Sequence, residues 1–140
     1  MSNLFRTSDA ASLALHAGML MAETPGTRRS TSEMAGVLKV SAAHLAKVLQ
    51  RLEQAGIVMG TRGPSGGYVL ARPAKKIALI ELYRAVEGKP EDERCPFGVP
   101  ACDGDACPLG RYFDRLNRQA TAKLVRTRLA DVHPRLGRQR

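Results

Sequence analysis

The sequence predicts a mainly α chain with a small β-wing and a long helix near its C-terminus. Three observations carry this expectation. Two short amphipathic stretches flank a tight turn at Lys39-Val40, two β-prone runs surround a turn dense in Gly and Pro, and an apolar stripe recurs every third or fourth residue from Leu109 onward.

The elements follow in order. Leu13, Ala14, Ala17, Leu20 and Met21 recur at helical spacing after Ser8-Asp9, either of which suits an N-cap, so a first helix is expected from about Asp9 to Glu23. Thr24-Pro25-Gly26 ends it. After the polar link Thr27-Arg28-Arg29-Ser30, a short helix covers Thr31 to Leu38 with a capping Thr or Ser. From Ser41, the positions Leu45, Val48, Leu49 and Leu52 make an apolar stripe that leaves His44, Lys47, Gln50 and Arg51 off it. Gly56 stops this helix. Residues 57–61 and 68–71 then read as two strands around Arg62-Gly63-Pro64-Ser65-Gly66-Gly67. Ala78 to Val86 is another amphipathic helix, closed by Gly88. Beyond a cysteine-bearing segment, Leu109, Phe113, Leu116, Ala120 and Leu124 lie on a helix of about twenty residues with a basic outer face. So narrow a stripe on a terminal helix is expected to be a dimer seam.

The unit is therefore a winged helix-turn-helix domain, residues 1–90. It is followed by a cysteine-bearing loop, 91–108, a dimerisation helix, 109–133, and a short tail, 134–140, expected to fray.

The 140 residues suffice for one compact domain with an appendage. A net charge of +9 is large for this length and unevenly placed. Residues 28–76 hold nine Lys/Arg against two acids, residues 111–140 repeat that ratio, and the stretch 91–105 reverses it with Glu91, Asp92, Glu93, Asp103 and Asp105 against Arg94. Two basic regions beside an acidic segment point to a polyanion-binding body carrying a separate site. A merely solvated basic surface is the bland alternative. Ala10 to Ala22 imitates a signal-peptide core, but Asp9 and His16 interrupt it, no small-residue cleavage site follows, and it is too short to span a membrane. A cytoplasmic protein without membrane attachment is expected. No Ser/His/Asp set, carboxylate pair or phosphate loop supports an enzyme.

All three cysteines, Cys95, Cys102 and Cys107, fall in the acidic segment with spacing C-x6-C-x4-C. They cannot pair off, and Gly, Pro and acidic neighbours argue against a buried core role. Three clustered thiolates suit an iron–sulfur cluster or zinc, each wanting a fourth ligand. A thiol–disulfide switch stays open beside them.

The block Leu52-Glu53-Gln54-Ala55-Gly56-Ile57-Val58, then Arg62 to Pro73, then Ile77 and Ala85-Val86-Glu87-Gly88 resembles the Rrf-two family of winged helix-turn-helix regulators, which includes the iron–sulfur regulator IscR and the nitric-oxide sensor NsrR. The resemblance covers about residues 4–130. It implies a homodimeric transcription factor, here a repressor, on double-stranded operator DNA, with a [2Fe-2S] or [4Fe-4S] cluster in the loop. Some members lack the cysteines. Two departures stand out: the middle cysteine is one residue late against a common C-x5-C-x5-C, and Gly110 stands where the IscR branch has a histidine. In the nitric-oxide-sensing branch an aspartate near the start of the first helix ligates the partner's cluster, and the pattern around Ser8-Asp9 resembles it. The resemblance thus makes Asp9 the leading fourth ligand, with Asp105 and His16 behind it; Asp9 is equally suited to capping its helix.

For DNA, Ser41, His44 and Lys47 at the start of the second helix of the pair are expected to face the major groove. Ala42 and Ala43 offer little base readout, so DNA shape is expected to matter. Ser41 reads equally as an N-cap, and His44 as an ordinary exposed histidine. Arg62 and Ser65 at the wing tip suit a minor groove or phosphate, although the wing glycines would make the turn in any case. Arg28, Arg29 and Lys47 are expected phosphate clamps, with Arg51 and Arg72 weaker.

Overall fold

The computed structural model describes residues 7–88 and 107–132. Cys95, Cys102, the acids of 91–105 and the tail 134–140 lie outside the described residues.

Helix α1 spans Asp9–Glu23, and its cap is Ser8, whose Oγ accepts from the Ala11 N–H at 3.0 Å. Its inner face buries Ala11, Leu13, Ala14, Ala17, Leu20 and Met21. Gly18 lets α4 come close: a Cβ there would lie 2.5 Å from Leu82 Cδ2. Helix α2 spans Thr31–Leu38, capped by Ser30 through the Glu33 N–H, one residue ahead of the helix itself. Lys39 closes it in the left-handed region at φ 56°. Helix α3 covers Ala42–Gln54 with Ser41 as its cap, and buries Leu45, Val48, Leu49 and Leu52, the stripe legible in the sequence.

Strands β1, Val58–Thr61, and β2, Gly67–Leu70, pair antiparallel with Val58 opposite Leu70 and Thr61 opposite Gly67. A 3-10 turn at Ala74–Lys76 leads into α4, Leu79–Glu87, which ends at Gly88 with φ 79°. Helix α5 runs Pro108–Arg126.

One core serves α1 to α4 and the wing. Leu45, Leu49, Leu52, Ile57, Ile77, Leu82 and Leu129 are all at most 1% exposed, each such side chain contributing about 1.5–3 kcal/mol of burial. Among the described residues no buried side-chain polar atom lacks a partner. Helix α5 contrasts with this body: only Gly110 of it is buried, while Leu109 and Tyr112 are 54% and 56% exposed. Among the described residues no helix is long and apolar enough to cross a membrane.

The long helix is shorter than the expected 109–133. The Thr127 carbonyl accepts from the Leu79 N–H at 3.0 Å, Leu129 N–H donates to the Ile77 carbonyl at 2.8 Å, and Ala78 bridges Arg128. The chain thus leaves α5 extended, then makes a 3-10 turn at Leu129–Asp131 whose Leu129 is fully buried in the main core. Leu129 and Val132 kept the helical spacing but belong to the body of the domain.

Candidate nucleic-acid interface and cysteine helix

The turn between α2 and α3 is held by the left-handed Lys39 and by the Val40 N–H bonded to the Ala35 carbonyl at 3.0 Å. Because the apolar stripe of α3 is buried, Ser41, Ala42, Ala43, His44 and Lys47 all face solvent. Ser41 is the N-cap, its Oγ accepting from the His44 N–H at 3.3 Å, so its hydroxyl serves the helix first.

The wing stands beside this pair, and its root is fixed by backbone. Arg29 N–H donates to the Tyr68 carbonyl at 3.1 Å and Tyr68 N–H donates to the Arg29 carbonyl at 2.9 Å. Gly67 makes this approach feasible: it sits at φ 148°, and a Cβ would be 2.7 Å from the Arg29 carbonyl oxygen. Glu53 on α3 accepts from the Gly60 N–H at 2.9 Å and ties the other strand to the helix. Burial first, then the charge of Glu53, push the Tyr68 hydroxyl above its ordinary pKa. Arg62 and Ser65 are exposed at the tip.

The expected phosphate clamps divide. Arg28, Lys47 and Arg62 are exposed, and among the described residues no carboxylate pairs with them. Arg29 is different: its guanidinium pairs with Glu33 at 2.9 Å and Glu23 at 3.6 Å, and donates to Thr24 Oγ1 at 3.2 Å. With only 15% of its side chain exposed, it joins α1 to α2. Arg51 donates to the Val86 carbonyl at 3.0 Å, and Arg72 to Glu81 at 2.6 Å, so both of these weaker candidates also hold the fold. Lys39, in the turn of the helix pair, is a further exposed cation beside the start of α3.

At the other end of the domain, Cys107 is the N-cap of α5, and its Sγ accepts from the Gly110 N–H at 3.3 Å. Gly110 is buried in that first turn, so the position offers backbone and no side-chain ligand. A helix N-terminus favours negative charge, which suits a thiolate. Asp9 is exposed in the first turn of α1, and since Ser8 provides the cap, the capping alternative for Asp9 does not hold. Asp9 lines an open hollow with Thr7, Ser8, Tyr83 and Glu87, and the Ser8 hydroxyl donates to Glu87. His16 bonds the Ser12 carbonyl at 2.7 Å within its own helix. Among the described residues no three of His, Cys, Asp and Glu come together as a metal site. A thiol at one helix N-terminus and a carboxylate at another are donors of the right chemistry for a cluster, from separate elements.

A family profile described as Rrf2, an iron-dependent transcriptional regulator, matches residues 7–135. The chain belongs to the Rrf2 family. HTH-type transcriptional regulators of Neisseria meningitidis serogroups A and B are 30% identical to it over 79 residues, 56% of this chain and 53% of theirs. The chain thus spans about half the length of the curated relatives it matches. Among solved structures, CymR of B. subtilis, the global cysteine regulator, superposes with a TM-score of 0.74 at 24% identity, covering 93% of this chain and 97% of CymR. IscR of T. potens gives 0.74 at 22% identity over 91% of this chain and 85% of IscR. These two share the fold of this Rrf2 chain: a mainly helical body with a two-stranded wing, as the sequence predicts. The matching family and these relatives are described as transcriptional regulators.

Proposed function

We propose that this chain is a homodimeric repressor that binds operator DNA through α3 and the wing, with an iron–sulfur cluster modulating the binding. The observation that carries the DNA reading is the uncountered cation set: Arg28, Lys47 and Arg62 stand exposed around the α3 N-terminus and wing without a carboxylate among the described residues. His44 and Lys47 face the major groove, with Ser41 capping beneath them. Arg62 and Ser65 reach the minor groove or a phosphate, and Arg28 clamps backbone. A salt titration of binding to a duplex selected from a random pool tests this. A steep loss of affinity with salt is expected, and a flat response sinks the reading.

The dimer reading rests on α5. Leu109, Tyr112, Phe113, Leu116, Ala120 and Leu124 share one side of a helix that buries only Gly110; Leu124 packs against the main core, while Leu109 and Tyr112 at the other end are more than half exposed, and that exposed end fits a second copy of the same helix. Dimerisation also doubles the DNA contacts on a pseudo-palindromic site in the cytoplasm.

For the cluster, Cys95, Cys102 and Cys107 supply thiolates and Asp9 of the partner supplies the fourth ligand. Cys107 at the N-cap of α5 and the exposed carboxylate of Asp9 in the first turn of α1 support this assignment. When bound, the cluster supplies a redox- and nitric-oxide-reactive centre. An anaerobic preparation with visible absorption and matched iron and sulfide is expected; a colourless protein whose DNA affinity ignores Cys102→Ala overturns it. A second reading, thiol oxidation without a cluster, is favoured by the likeness to CymR, whose oxidised form from Staphylococcus aureus also matches at a TM-score of 0.73 and 21% identity. Thiol titration of the colourless protein before and after peroxide separates the two.

A further inference from the structure

The segment leaving the wing is tied to the segment leaving α5, and one carboxylate makes the join. Both oxygens of Glu81 are engaged: Oε1 accepts from the Arg72 guanidinium at 2.6 Å and Oε2 from the Ala78 N–H at 2.8 Å. Arg72 lies two residues past β2 and also donates to the Lys76 carbonyl at 3.3 Å. Ala78 stands opposite Arg128 in the bridge that ends α5, flanked by the Leu79–Thr127 and Leu129–Ile77 backbone bonds. Asp131 steadies the far side by accepting from the Arg128 N–H at 3.0 Å.

A lone exposed ion pair contributes little to stability. This pair is different in kind, because each partner also holds a backbone group. Breaking it is expected to loosen the root of the wing and the Ala78 bridge that receives the segment after α5 together. The route is short and continuous: α5, Arg128, Ala78, Glu81, Arg72, β2, and then the wing tip.

Resting on the reading that Arg62 touches DNA and α5 forms the dimer, we propose that Glu81 and Arg72 are positioning residues for DNA recognition. They fix the wing at its root against the end of α5, so that a displacement of α5 is passed to Arg62. Neither touches DNA. The two elements they join are the ones that a dimer and an operator would each hold.

The test is a double-mutant cycle on the full chain, using the duplex selected by wild type as probe, with dimer state and melting temperature checked for every variant. Glu81→Gln is expected to weaken binding about five-fold or more while the dimer persists. In an Arg62→Ala background the same substitution is expected to change affinity by less than about two-fold, since a wing without its contact gains nothing from being placed. Equal losses in both backgrounds overturn the proposal, as does an unchanged affinity in a folded Glu81→Gln dimer. If Arg62→Ala alone binds like wild type, the wing reading fails and the proposal fails with it. Arg72→Gln runs the same cycle from the other side of the pair if Glu81→Gln does not fold.

Discussion

Arg29 and Tyr68 exchange both of their backbone hydrogen bonds, at 3.1 and 2.9 Å, across nearly forty residues of chain. The link before α2 is therefore pinned to the wing by one antiparallel bridge. Its consequence is that the wing and the helix pair are held together, with Arg28 exposed in the link and Arg62 at the tip.

Arg28 and Arg29 are adjacent but are expected to behave oppositely. Arg28→Ala removes an exposed cation and is expected to lower the slope of log affinity against log salt by about 0.9, leaving stability unchanged. Arg29→Ala breaks the pairs to Glu33 and Glu23 and is expected to cost about 1 kcal/mol of stability with the slope intact. Chemical denaturation and salt-titrated binding read the two effects separately.

Gly67→Ala forces a side chain into φ 148° and against the Arg29 carbonyl at 2.7 Å. The expected cost is about 1–3 kcal/mol, with loss of the Arg29–Tyr68 pairing. A lower denaturation midpoint together with amide exchange at Tyr68 faster than wild type checks it. Wild-type protection at Tyr68 contradicts it.

Stability is expected to bend at both ends of the pH scale through residues of this same region. Burial raises the Glu81 pKa, but the hydrogen bonds from Arg72 and Ala78 and the charges of Arg72 and Arg128 outweigh it, leaving a net lowering. A lowered folded value means the contribution is present above the unfolded pKa of about 4.3 and is lost as pH falls through the folded value. The advantage of wild type over Glu81→Gln is therefore expected to shrink in acid. Tyr68 has the opposite sign: its raised pKa costs stability as pH climbs from about 10 through the folded value, and Tyr68→Phe is expected to remove that loss. Denaturation midpoints across pH test both.

Much of this architecture is legible in local sequence. The limits of α1 follow from Ser8 and Thr24, and the stripe of α3 is the one buried. What local sequence conceals is long-range backbone pairing. Leu129 and Val132 continue a helical spacing, and only the bridge from Arg128 to Ala78 reveals that the helix has already ended. Arg29 likewise looks like Arg28 until Glu23, Thr24 and Glu33 converge on it. For the site, exposure of Ser41, His44, Lys47 and Arg62 is readable from the pattern, whereas the capping of α1 by Ser8 and not by Asp9 is decided by geometry.

The role of Asp9 has its own readout. Asp9→Ala leaves the Ser8 cap in place, so α1 is expected to stay helical by circular dichroism. If Asp9 is a ligand, reconstituted Asp9→Ala is expected to show an altered visible spectrum and faster iron loss than wild type. An identical spectrum and iron-release rate rule out the cross-subunit ligand.

If α5 is the dimer seam, folding and association rest on different parts of the chain. The main core is built by α1 to α4, the wing and Leu129, while α5 contributes only Gly110 to the buried set. Placing a charge on the stripe therefore leaves the body folded but obstructs the second helix. Leu109→Glu, at a side chain 54% exposed, is expected to keep the helical content and the denaturation midpoint. In the dimer it buries an unpaired carboxylate against apolar side chains, an arrangement costing several kcal/mol and enough to shift a micromolar sample toward monomer. Sedimentation equilibrium reads this directly, and DNA affinity is expected to fall with it because a monomer engages a single half-site. A Leu109→Glu protein that remains a dimer at micromolar concentration would exclude this end of the stripe from the seam.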